Sequence, residues 1–120
     1  MYNVVFYKDE NGRSEVEEYL LELKHKKDKE TRIKLNKIIA YLNMLEKEGK
    51  NIGEPYIKHI EEDIWELRPL RDRILFAYWK DNKFIILSIF MKKTQKTPRK
   101  EIEKAKKNLK EFIKRSEENE

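Results

Sequence analysis

Three groups of side chains in this sequence are of types that handle phosphate. Glu66 and Arg68 stand two residues apart in Ile64-Trp65-Glu66-Leu67-Arg68, so an extended strand puts them on one face and Trp65 and Leu67 on the other. Arg73 follows, just ahead of the apolar run Ile74-Leu75-Phe76-Ala77-Tyr78-Trp79. The third group is Met91-Lys92-Lys93-Thr94-Gln95-Lys96, after a second apolar run. A guanidinium stays charged and binds paired oxygens, so Arg68 and Arg73 suit a phosphate. Glu66 is placed to take a proton or to orient Arg68, while Lys92 and Lys93 can bind phosphate or, with a depressed pKa, donate a proton. Transfer of a phosphoryl group needs these roles: a base for the attacking hydroxyl, a neutraliser for the charge on the phosphorane, and an acid for the departing oxygen. A plainer alternative makes Glu66 and Arg68 a surface ion pair worth under about 1 kcal/mol.

Charge is concentrated where the third group lies. The 120 residues carry 28 Lys+Arg against 23 Asp+Glu, a net charge of +5. Residues 92–100, Lys-Lys-Thr-Gln-Lys-Thr-Pro-Arg-Lys, hold five basic and no acidic side chains, so their charge equals that of the whole protein. Such a stretch is a solvated loop in many proteins, but a field of this density also attracts a polyanion. Lys96 and Arg99, together with Lys92 and with Arg71 from the turn before Arg73, are the expected contacts to such a polyanion, which the resemblance given below makes RNA. Arg71 and Asp72 also fit an ordinary turn, and Phe76, Tyr78 and Phe90 sit in runs apolar enough to be core rather than base-stacking surfaces.

Cysteine is absent, which excludes disulfides, thiolate catalysis and Cys-based zinc sites. His25 and His59 are too few to build a structural metal centre, so neither metal nor other cofactor is expected. No run of eighteen apolar residues and no leader pattern occurs, and the expected location is the cytoplasm.

The elements that must position these groups follow from periodicity. Residues 2–7 are β-branched and aromatic and predict an opening strand. Ser14 and Glu17 form a capping-box pattern ahead of Val16, Tyr19, Leu20 and Leu23, and a second helix carries Leu35, Ile38, Leu42 and Leu45 up to Gly49. Residues 51–55 predict a linker, and residues 64–91 a three-stranded antiparallel meander turning at Pro69–Asp72 and Asp81-Asn82. Thr97-Pro98 predicts the N-cap and first position of a final helix with Ile102, Ala105, Leu109 and Phe112 on one face, fraying over residues 115–120. The expected class is α+β: a strand, a helical hairpin, the meander and a C-terminal helix in one domain spanning residues 1–120.

The succession Tyr56-Ile57-Lys58-His59-Ile60, Trp65-Glu66-Leu67-Arg68, Asp72-Arg73-Ile74-Leu75-Phe76, Phe90-Met91-Lys92-Lys93-Thr94-Gln95-Lys96-Thr97-Pro98, and then Glu101-Ile102 and Ala105, resembles the phage-derived HigB-like branch of the RelE/ParE toxin superfamily. The resemblance spans most of the chain, and its most specific pieces are the Glu66-Leu67-Arg68 strand and the Phe90–Pro98 segment. It implies a compact RelE-like fold and a type II toxin, a metal-independent endoribonuclease that cuts mRNA on the ribosome. It also implies a cognate helix-turn-helix antitoxin of the HigA type, through which alone DNA would be touched and whose acidic groups would meet the basic surface. Arg73 matches the family's expected catalytic arginine and Lys93 its second basic position; Arg68 and Glu66 complete the expected catalytic set. The segments contain no histidine, unlike some HigB toxins, which leaves acid and base unassigned and predicts dependence on ribosomal positioning. ParE-like relatives share the fold but inhibit DNA gyrase, and an RNA-binding module without toxicity is a third alternative.

Overall fold

The computed structural model describes residues 1–119. The chain runs β1 (Asn3–Phe6), α1 (Glu15–His25), α2 (Lys29–Glu48), a 3-10 turn (Gly49–Ile52), β2 (Ile57–Glu61), β3 (Ile64–Leu67), β4 (Asp72–Trp79), β5 (Lys83–Met91) and α3 (Arg99–Glu118). Helices and sheet form the α+β fold expected of the sequence. The sheet order is β1-β5-β4-β3-β2, with β1 parallel to β5 and all other neighbours antiparallel.

Strands β4 and β5 read as unbroken apolar runs because both of their faces are covered. One face, with Ile74, Phe76, Phe84 and Ile86, packs on Val16 and Leu23 of α1 and Ile38 and Leu45 of α2. The other, with Leu75, Ala77, Ile85 and Leu87, packs on Ala105 and Leu109 of α3. The helix starts follow the local chemistry. The Ser14 hydroxyl accepts from the Glu17 N–H at 3.1 Å, and Asp28 caps α2 through the Thr31 N–H at 3.0 Å. Gly49 closes α2 at φ 62°, where a Cβ would come within 2.7 Å of the Tyr2 ring. Asp81 and Asn82 both have positive φ, as a two-residue hairpin joining β4 to β5 requires.

The structure departs from expectation in four places. The meander gains a fourth strand, β2, paired with β3 through Ile57↔Leu67 and Lys58↔Glu66. Its sequence, Ile-Lys-His-Ile-Glu, has no clean alternation, since it lies at a sheet edge with Lys58 and His59 in solvent. Helix α3 begins at Arg99 with Pro98 as its N-cap and no side-chain cap, because the Thr97 hydroxyl is used elsewhere. Residues 115–118 are helical rather than frayed: Arg115 bonds Glu111 at 2.6 Å and reaches the Lys8 carbonyl, while Glu120 lies outside the described residues. Tyr78 is 41% exposed, whereas Phe76 is core and Phe90 is half-buried.

The two faces of α2 give a direct check on this layering. Ile38 is 0% exposed and its neighbour Ile39 44%. Ile38→Ala is expected to lower unfolding stability by about 2–5 kcal/mol in urea titration. Ile39→Ala is expected to change it by less than about 0.5 kcal/mol.

Candidate phosphate-binding site

The end of the sheet where β4 begins and β5 ends carries the charged groups singled out in the sequence. Strand β3 alternates as predicted, so Trp65 and Leu67 face α1 and α2 while Glu66 faces the α3 side. Glu66 is 1% exposed. A buried carboxylate is costly unless its oxygens find donors, and both do. Oε1 accepts from Arg68 Nε at 3.1 Å and lies 3.9 Å from Arg73 Nε. Oε2 accepts from the Thr97 hydroxyl at 2.7 Å, which ties the segment ahead of α3 to the centre of β3.

Arg73 is 8% exposed and is held on its other side by backbone. Its Nη1 donates to the carbonyls of Leu70 and Asp72 at 2.8 and 2.9 Å. Burial pulls the guanidinium below its ordinary pKa, the adjacent Arg68 charge adds to this, and Glu66 and Asp72 oppose it. Arg73 therefore sits in a place where an added negative charge is welcome. The turn before it is fixed to the end of β5: Lys92 N–H donates to the Arg71 carbonyl at 2.8 Å, and Arg71 Nη2 donates to the Lys92 carbonyl at 3.2 Å.

These bonds leave a groove of ≈ 420 Å³ lined by Leu70, Arg71, Arg73, Lys92, Lys93, Thr94 and Gln95. Four of the seven are cationic and none is acidic. Lys93 and Arg71 are exposed and Lys92 half-buried. Arg68 stands beside the groove, paired with Glu66. Lys96 is on the same loop outside the lining, its carbonyl accepting from the Thr94 hydroxyl at 2.9 Å.

Arg99 is placed elsewhere. It binds both Glu61 oxygens, at 2.7 and 2.9 Å, and Glu103 at 3.1 Å. Hydrogen bonds from Arg99 and Lys106 hold the Glu61 carboxyl down at about 2. The basic stretch is thus divided, with Lys92 and Lys93 open to a ligand and Arg99 joining α3 to β2. Neither histidine enters the groove: His59 bonds the Glu62 carbonyl at 2.7 Å and packs on Trp65, and His25 ends α1. Among the described residues no group of three His, Cys, Asp or Glu side chains could hold a metal ion. None of their helices is long and apolar enough to cross a membrane.

Two participants escape sequence reasoning. Thr97 reads as a helix cap, and only the fold brings it to Glu66. Asp72 reads as a turn residue but is buried against the helical hairpin, accepting from Tyr19 Oη at 3.0 Å with Lys34 Nζ at 3.5 Å. The two helices thereby grip the first residue of β4, next to Arg73.

The pairing of Glu66 with two arginines predicts a stability effect. Glu66→Gln removes the charge that two partly buried guanidinia share, and is expected to cost roughly 3 kcal/mol in chemical unfolding. Thr97→Ala, which leaves Oε2 short of one donor, is expected to cost about 1–2 kcal/mol.

A family model described as phage derived protein Gp49-like matches residues 18–110, more than half of the chain and every residue of the groove. No curated protein matches.

Proposed function

The chain belongs to the phage-derived Gp49-like family, and from that premise we propose that it is the toxin of a toxin–antitoxin pair, an endoribonuclease that cuts messenger RNA on the ribosome and so stops translation. The observation that carries this reading is the groove: four cations and no carboxylate in its lining, braced from beneath by a buried glutamate. The resemblance to HigB-like toxins adds the substrate class.

In this reading Arg73 contacts the scissile phosphate and neutralises the charge that grows on it in the transition state. Its fixed guanidinium costs no reorganisation at that moment. Arg68 supports it from the side, and Glu66 orients both arginines. Glu66 is poorly suited to be the base, since its oxygens are engaged and its side chain is out of solvent. Lys93 and Lys92 bind the phosphate and supply the proton for the departing 5′-oxygen, the proton of the attacking 2′-hydroxyl passes to solvent water in the open groove, and Lys96 and Arg71 guide the strand. The groove has no group whose unperturbed pKa lies near neutrality, so holding the message in an attack geometry, which the ribosome provides, carries much of the rate. A cognate helix-turn-helix antitoxin with acidic groups is the partner proposed to cover the groove, and the cytoplasm the place where both would act.

Cleavage of a defined message by parent, Arg73→Ala and Lys93→Ala proteins in a purified translation system tests the assignment. Arg73→Ala is expected to lose about a hundredfold or more in rate, as removal of a charge-stabilising donor does. Lys93→Ala is expected to lose about a hundredfold, the lower end of the range for general acid catalysis. Two variants as active as the parent would place the chemistry elsewhere. Pulse labelling of expressing cells is expected to show loss of protein synthesis before DNA synthesis; the reverse order would favour inhibition of a DNA enzyme.

A further inference from the structure

The turn that opens the groove contains an apolar residue in a conformation that favours glycine. Asp72 N–H donates to the Pro69 carbonyl at 3.1 Å, closing a turn over Leu70 and Arg71. Leu70, its first central residue, has φ 55°. Glycine is the usual occupant of such a position, because an L side chain there crowds the following carbonyl. The leucine is also 50% exposed and lines the groove beside Arg71, Arg73, Lys92 and Lys93. It therefore contributes little packing to the fold while bearing backbone strain. Strain of this kind, held at the mouth of a charged groove, points to a ligand.

From this we infer that Leu70 is a substrate-positioning residue, the apolar surface against which a nucleobase of the bound RNA packs. The proposal rests on the ribonuclease reading given above. The Leu70 carbonyl accepts from Arg73 Nη1 at 2.8 Å, so the Leu70 backbone and the guanidinium are held in a fixed relation and the side chain stands beside the arginine. A phosphate drawn to Arg73, Lys92 and Lys93 brings its own base alongside, and that base needs an apolar neighbour once it leaves the stack. The cationic lining selects a nucleotide over an uncharged apolar partner. Leu70 would then influence where a message is cut, since bases differ in the apolar face they offer.

The test uses the intact protein in a purified translation system, with a defined message, cut positions mapped by primer extension, and thermal unfolding measured alongside. Leu70→Gly frees the backbone from strain, so it is expected to melt no lower than the parent. Its cleavage is nonetheless expected to fall about tenfold, with cuts spread over more positions, through loss of the apolar contact. Leu70→Met, which keeps an apolar side chain, is expected to recover most of the lost rate and the parental positions. A Leu70→Gly protein that cuts the same positions at the parental rate overturns the proposal, as does a Leu70→Met protein as impaired as Leu70→Gly. A parent protein that cuts nothing overturns the ribonuclease reading itself, and the role of Leu70 with it.

Discussion

The Glu66 carboxylate is taken out of water between β3, β4 and the segment ahead of α3, and Arg73, the buried cation of the groove, is placed with respect to it. Arg68 and Arg73 approach one of its oxygens and Thr97 binds the other. A lone buried carboxylate would destabilise the fold, so the group is tolerable only with its partners in place. The same bonds set the direction of two guanidinia that would otherwise repel. An ion pair of this kind is weak evidence for stability, but it is a strong constraint on geometry. Replacing it with packed apolar side chains would leave Arg73 held only through Nη1, by the Leu70 and Asp72 carbonyls, with no carboxylate facing its Nε.

The rest of the fold supplies what that constraint needs. Helices α1 and α2 hold the first residue of β4 through Tyr19, Lys34 and Asp72 on one sheet face. On the other, α3 is fastened to β2 through Arg99 and Lys106 to Glu61. Between them lie the doubly covered strands β4 and β5, whose close-packed interior leaves the arginine little freedom. The loop after β5 then presents Lys92 and Lys93 without any acidic residue of the lining to neutralise them.

Much of this was legible in the sequence because it rests on periodicity and local chemistry. The alternation of Trp65 and Leu67 against Glu66 and Arg68, the stripe of Ile38 and Leu45, the Ser14 cap and the Asp81-Asn82 turn are all encoded within a few residues. What was not legible depends on contacts distant in the chain. Edge strand β2 takes its conformation from pairing with β3 rather than from its own pattern. Thr97 looks like a cap until β3 brings Glu66 to it, and Arg99 looks like one more cation of a basic run until Glu61 claims it. A charge count weights every lysine and arginine equally; the fold does not.

In the proposed reaction the groove positions an RNA phosphodiester for attack by the neighbouring 2′-hydroxyl. The chemistry of the cut ends tests it most directly. Ribosome-bound message incubated with the protein should yield an upstream fragment ending in a 2′,3′-cyclic phosphate and a downstream fragment beginning with a 5′-hydroxyl. A message carrying a single 2′-deoxynucleotide at the cut position should survive there. Fragments bearing a 5′-phosphate, or cutting at the deoxy position, would contradict the account.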